Sequence, residues 1–209
     1  MLNAISGICL AFFGGVYIIK LLLLRYKNKI HANTLGRKGK ERSLSRIERQ
    51  VKWSIYTWIA FWILNILGYS IYTPLLLDMP FRYTGVALSA LGAVLFFVSV
   101  IIMDQSWRVG IDQNSTAKLI THGIYRFSRN PAYLAFNIMF LGTIVTFGDI
   151  GLLLLGTFSG FSLHKLILKE ESYLEEKFKG DYIKYKNDVG RYLRKLHNSD
   201  FQNEKCQTP

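Results

Sequence analysis

The feature that most constrains this chain is that its apolar residues arrive in long, nearly uninterrupted blocks. A helix needs about 20 such residues to cross a hydrocarbon core of roughly 30 Å. A bilayer offers no water to backbone N–H and C=O groups, so spans of this kind must satisfy them internally as helix. The predicted fold is therefore all-α, a polytopic membrane protein with about five transmembrane helices and C-terminal cytoplasmic helices.

The blocks place the spans at 2–24, 53–77, 84–103, 132–147 and 150–168. Residues 1–103 form an N-terminal membrane region with a basic loop at 25–52. Residues 104–197 are expected to form a second region, the candidate for function, made of a polar loop, a helical hairpin at 131–168 and C-terminal helices, and 198–209 are expected as a disordered tail. Lys20 and Arg25 follow the first apolar block, the reverse of a cleaved leader, so that block reads as a span. Trp53, Trp58 and Trp62 toward one end of the second span, with Tyr69 and Tyr72 toward the other, fit interfacial aromatic belts, and Pro74 falls near the span's end. Gly85, Ser89 and Gly92 in the third span, and Gly156 and Gly160 in the fifth, supply small residues for close helix contact.

Charge orients these spans. The formal net charge is +12, and residues 25–52 hold ten Lys or Arg against only Glu41 and Glu48. Residues 104–130 again carry more bases than acids. By the positive-inside rule both segments face the cytoplasm, which puts the N-terminus outside and the C-terminus inside, as in a prokaryotic inner membrane. The 25–52 loop is read as a topology signal rather than a lipid-head site. Nucleic acid is excluded as a partner, because the basic residues are distributed by the spans and no nucleic-acid module accompanies them. Cys9 and Cys206 fall on opposite sides of the membrane, so no disulfide is expected, and neither has metal-ligand neighbours.

One stretch needs a functional explanation. Leu119 to Tyr133 concentrates His122, Tyr125, Arg126, Arg129, Asn130 and Tyr133 with Gly123 and Pro131, directly before the fourth apolar block. Pro131 stands where a helix would start, a position that needs no backbone donor. If spans four and five form a hairpin, their cytoplasmic ends meet, and His164, Lys165, Glu170 and Glu171 lie opposite this stretch. A helix is predicted to Lys179, with Gly180 as its stop and Asp181 capping another. In that last helix Tyr182, Tyr185, Val189, Tyr192, Leu193 and Leu196 make one apolar stripe, suited either to the membrane surface or to a lid over the site.

Carboxylates hydrogen-bond ribose hydroxyls, aromatic faces hold cations, and arginine forks carboxylates. S-adenosylmethionine offers all three partners, and NADPH offers riboses and phosphates to much the same set. Against these stand plainer roles: Arg126 and Arg129 as positive-inside anchors, Tyr125 and Tyr133 as belt aromatics, Glu170 and Glu171 on a solvated helix face, His122 and His164 as hydrogen-bonded interface residues. From the residues alone the reading is a polar site at a membrane edge.

Gly123-Ile124-Tyr125-Arg126, Arg129-Asn130-Pro131-Ala132-Tyr133, Glu170-Glu171 with Leu174 and Phe178, and then Tyr182, Tyr185, Val189 and Arg191 together resemble the isoprenylcysteine carboxyl methyltransferase and phospholipid methyltransferase superfamily. The resemblance covers about Trp107 to Arg191. It implies an integral membrane enzyme using S-adenosylmethionine on a lipophilic acceptor that enters from the lipid bilayer. By the same resemblance Gln113, Leu119, Ile120, Tyr125, Asn130, Pro131, Ala132, Tyr133 and Glu170 are expected to contact the cofactor. Arg129 is expected to orient an anionic partner, and Glu171 to accept a proton if the acceptor is an amine. Asn130 stands where the family often has histidine, Ala135 where it often has glycine, and Leu166 where eukaryotic members have a substrate-contacting arginine. The last departure argues against a prenylcysteine substrate more than against methyl transfer. The alternatives are a phospholipid N-methyltransferase and an NADPH-dependent membrane reductase with a sterol-reductase-like core.

Overall fold

A computed structural model describes residues 1–37, 39–70, 77–112 and 118–193. Gln113, Tyr72, Pro74, Leu196, Cys206 and the tail from Asn198 lie outside these residues.

The described chain is helical, with five α-helices and no strand beyond one isolated parallel bridge between Asn33 and Val109. They are α1 (Leu2–Tyr26), α2 (Arg42–Ile66), α3 (Met79–Met103), α4 (Pro131–Phe147) and α5 (Ile150–Asp188). By length and apolar composition α1, α3 and α5 each suffice to cross a membrane, while α4 is a shorter apolar helix. Ile18, Leu91, Leu154 and Phe161 point outward with more than half of their surface exposed, as the lipid-facing side of a membrane protein requires.

α3 packs most extensively on α4, and small residues make that possible. A Cβ added at Gly92 would lie 2.8 Å from the Ala135 carbonyl oxygen, and one at Gly142 would lie 2.8 Å from that of Gly85. Nothing larger than hydrogen fits at either position without moving backbone.

The helix carrying the tryptophans differs from expectation in extent and in what its aromatics do. It starts at Arg42, inside the basic segment, and stops at Ile66, where Gly68 turns the chain at φ +87°. Only Trp53 is exposed; Trp58 and Trp62 are fully buried. Their indole nitrogens donate to Thr143 Oγ1 at 3.1 Å and Ser6 Oγ at 2.8 Å. An indole N–H can be buried in a bundle when a hydroxyl on a neighbouring helix accepts it, so two of the three residues assigned to a belt are core residues.

α5 also differs. It continues without interruption from its apolar half through Glu170 and Glu171, and its one irregularity is a kink at Lys179 with φ 47°, beside the expected stop at Gly180. Past the kink it ends at Asp188, and Val189 is extended. Val189, Tyr192 and Leu193 therefore do not belong to the last helix. Tyr182, Tyr185 and Val189 fold back against Leu119, Leu174 and Phe178, which makes this segment a cover over the polar stretch.

Candidate functional site

The polar stretch takes its shape from two short features. Gly123–Arg126 forms a single 3-10 turn, entered at Gly123 with φ 59°, and α4 begins directly afterwards with Pro131 as its first residue. The turn buries Tyr125 and leaves His122 and Arg126 exposed, so neither of the latter two reaches the interior. Asn130 makes no side-chain cap to α4, and the first backbone donors of that helix stay free of side-chain acceptors.

Opposite this turn, α5 presents Glu170 and Glu171 to different partners. Tyr133 donates its hydroxyl to Glu170 Oε2 at 2.6 Å. Burial raises the Glu170 carboxyl above its ordinary value; the tyrosine hydrogen bond opposes this, and the neighbouring Glu171 and Glu48 charges reinforce it.

Glu171 is buried and fully engaged. Its Oε1 accepts from Arg129 Nη2 at 2.9 Å and Asn130 Nδ2 at 3.1 Å, and its Oε2 from Arg191 Nη2 at 2.9 Å and Nε at 3.0 Å. Burial alone would push this carboxyl up; the hydrogen bonds from Arg191 and the charge and hydrogen bond of Arg129 outweigh it, so Glu171 is held below its ordinary value. The arrangement pins the cover, because Arg129 Nη1 also donates to the carbonyls of Lys186 and Val189, at 3.0 and 3.2 Å. Tyr185 closes the same contact from the other side, donating to the Tyr125 carbonyl at 2.6 Å.

Between these elements lies a cavity. Leu119, Ile120, Tyr125, Asn130, Pro131, Ala132, Tyr133 and Glu170, eight of the expected cofactor contacts, all line it, as does Arg129. The ninth, Gln113, is outside the described residues, and Glu171 sits behind the lining. Arg129 Nε is buried with no partner among the described residues, an N–H donor free to serve an acceptor within the cavity. His164 is drawn away to hydrogen-bond Tyr192 at 2.8 Å.

The remaining wall is apolar, from Tyr17 of α1, Val51 and Ile55 of α2, Phe96 of α3, Phe136 of α4, and Leu163 and Leu166 of α5. One cavity thus joins a polar end, able to take a charged and hydroxyl-bearing molecule, to an apolar end between membrane helices. Sequence reasoning missed Trp107, Arg108, Asp112 and Tyr173 in its lining; the path of the loop after α3 brings in the first three, and Tyr173 enters from α5, one turn beyond Glu170. Arg191 was named within the family pattern, but its partner Glu171 emerges only in three dimensions.

Among curated proteins the chain has no match. Residues 81–181 match the family model described as phospholipid methyltransferase, a segment that holds nearly all of α3, the 3-10 turn, α4 and α5 as far as Asp181. Over that segment, which contains most of the cavity's polar end, the chain is similar to the integral membrane methyltransferases, the superfamily that includes the phospholipid and isoprenylcysteine carboxyl methyltransferases.

Proposed function

We propose that the protein is an S-adenosylmethionine-dependent methyltransferase acting on a lipophilic acceptor, in the manner of isoprenylcysteine carboxyl methyltransferases. The observation that carries this reading is the gathering of eight separately expected side chains around one cavity whose other end is apolar.

The residues suit the cofactor's parts. Glu170, held in place by the Tyr133 hydroxyl, accepts hydrogen bonds from ribose hydroxyls. Leu119 and Ile120 offer apolar contact to the base, and the Tyr125 and Tyr133 rings suit a cation. The uncapped first turn of α4 suits a carboxylate. When bound, the cofactor supplies an electrophilic methyl group on a sulfonium.

The chain's part is then to align and desolvate. The Tyr182–Tyr185–Val189 cover excludes water from the polar end, and the apolar wall admits a chain from the bilayer. A carboxylate acceptor is already nucleophilic and needs no base. Glu171, bonded to two arginines and held in its ionised form, is better suited to fixing the cover than to accepting a proton, which favours a carboxylate over an amine acceptor. Arg129 remains the residue assigned to orient the anionic partner, through its Nε, because its other nitrogens are engaged with the protein.

Incubating the purified protein with methyl-labelled S-adenosylmethionine and total membrane lipid tests this reading. Label appearing in a base-labile, lipid-extractable ester is the expected outcome. Label in a phospholipid amine would assign N-methylation instead, and NADPH consumption without methyl transfer would contradict the proposal.

A further inference from the structure

We propose that Glu48 and Lys40, in the basic segment before and within α2, are positioning residues for the cofactor, because together they fix the loop Val109–Asp112 as one wall of the cavity. This rests on the reading of the cavity as a cofactor site, but the two residues lie outside the family-matched segment and have no contact role in it.

Glu48 is completely buried and Lys40 nearly so, and every acceptor position of the carboxylate that faces the loops is used. Oε1 takes Lys40 Nζ at 2.6 Å and the Ile111 backbone N–H at 3.1 Å. Oε2 takes the Gly36 N–H at 2.8 Å and Lys40 Nζ at 2.9 Å. Lys40 also donates to the Thr34 carbonyl at 2.8 Å. One carboxylate thus ties the α1–α2 connection to the loop after α3.

The backbone continues the tie. Val109 N–H donates to Ala32 O at 2.9 Å and Thr34 N–H to Val109 O at 2.9 Å, forming the isolated parallel bridge. Gly110 makes the approach possible: its φ is +86°, and a Cβ there would meet Glu48 Oε1 at 2.9 Å and Leu35 N at 3.2 Å. Leu35, Val109, Gly110, Ile111 and Asp112 all line the cavity, and Asp112 O accepts from the Tyr173 hydroxyl at 3.0 Å, one turn beyond Glu170 on α5. A topology signal would need neither a buried acid nor a saturated carboxylate. These residues form a strap, set from the N-terminal half of the chain, that fixes how far the loop stands from Glu170.

Glu48→Gln is isosteric and replaces one acceptor oxygen by a donor, which then faces a backbone N–H. S-adenosylmethionine binding by the full-length protein, measured by calorimetry in detergent or lipid, is expected to weaken roughly tenfold or more, since the loop is displaced without a cavity being created. Gly110→Ala, which attacks the same contact from the other side, is expected to weaken binding similarly, and the double variant to be no worse than the poorer single one. Lys40→Met is expected to follow Glu48→Gln, and Lys40→Arg to restore binding to near the wild-type value. If Glu48→Gln does not keep its helical content, Gly110→Ala alone decides the matter. Wild-type affinity in the folded variants, or additive losses in the double variant, overturns the inference while leaving the proposed function standing. Failure of the wild-type protein to bind S-adenosylmethionine overturns both.

Discussion

Glu171 shows why single residues in this site have to be read through their partners. A carboxylate beside Glu170 suggests proton chemistry, yet here it is clamped by Arg129, Asn130 and Arg191. Because its carboxyl is held below the value it has in an unfolded chain, its contribution to stability is present at neutral pH and is lost as pH falls through the lowered folded-state value. Thermal unfolding followed from neutrality into acid should therefore show a loss of stability that is shallower in Glu171→Gln. Arg191→Gln removes two hydrogen bonds from a partly exposed side chain and is expected to cost about 1 kcal/mol, measured as a lowered unfolding midpoint. It should also speed cofactor release, because the cover loses one of its ties. Asn130, the departure from the family's usual histidine, keeps a donor: its amide reaches both Glu171 Oε1 and the Arg191 carbonyl. The role left to it needs a hydrogen-bonding side chain and no titration.

At the scale of elements, the α3–α4 contact depends on small residues. Gly92→Val would drive side-chain atoms into the Ala135 carbonyl and Met139, and overpacking of this kind typically costs about 1–3 kcal/mol. A lowered unfolding midpoint with unchanged cofactor affinity is expected, since Gly92 is outside the cavity lining. Apolar blocks, Pro131 and Gly148–Asp149 made the limits of α4 legible, because a helix must start at a tolerated proline and stop at a left-handed glycine. The limits of α2 were not, since Arg42 to Lys52 is amphipathic: its charged face looked like loop, while Leu44, Glu48 and Val51 are buried on the other. Trp58 and Trp62 were misplaced for a related reason, as interfacial and core tryptophans look alike until a hydroxyl on another helix is found for the indole. The end of the last helix was hidden too. Its apolar spacing runs on past Asp188, but the carbonyls of Lys186 and Val189 are held by Arg129, a side chain far away in sequence.

Across the whole molecule, the cavity is a joint product of two halves with different legibility. The polar end was readable because its residues sit in short blocks, one at the start of α4 and one at Glu170 and Glu171 within α5. The apolar end was not, because Tyr17, Val51, Ile55, Phe136 and Leu163 are ordinary membrane-helix residues until the bundle assembles them. Acceptor choice is therefore expected to lie partly in α1 and α2, outside the family-matched segment. Val51→Trp, which fills the apolar end, should lower methyl transfer to a long-chain acceptor while leaving cofactor affinity within about twofold, a split read from binding and turnover measured on the same preparation. We propose that the polar end holds S-adenosylmethionine through Glu170, and calorimetry of the wild-type protein and Glu170→Ala with this cofactor decides the point. Saturable binding by the wild type and none by Glu170→Ala at comparable concentrations is the expected result. Equal binding by both proteins, or saturable NADPH binding in place of S-adenosylmethionine, would contradict it.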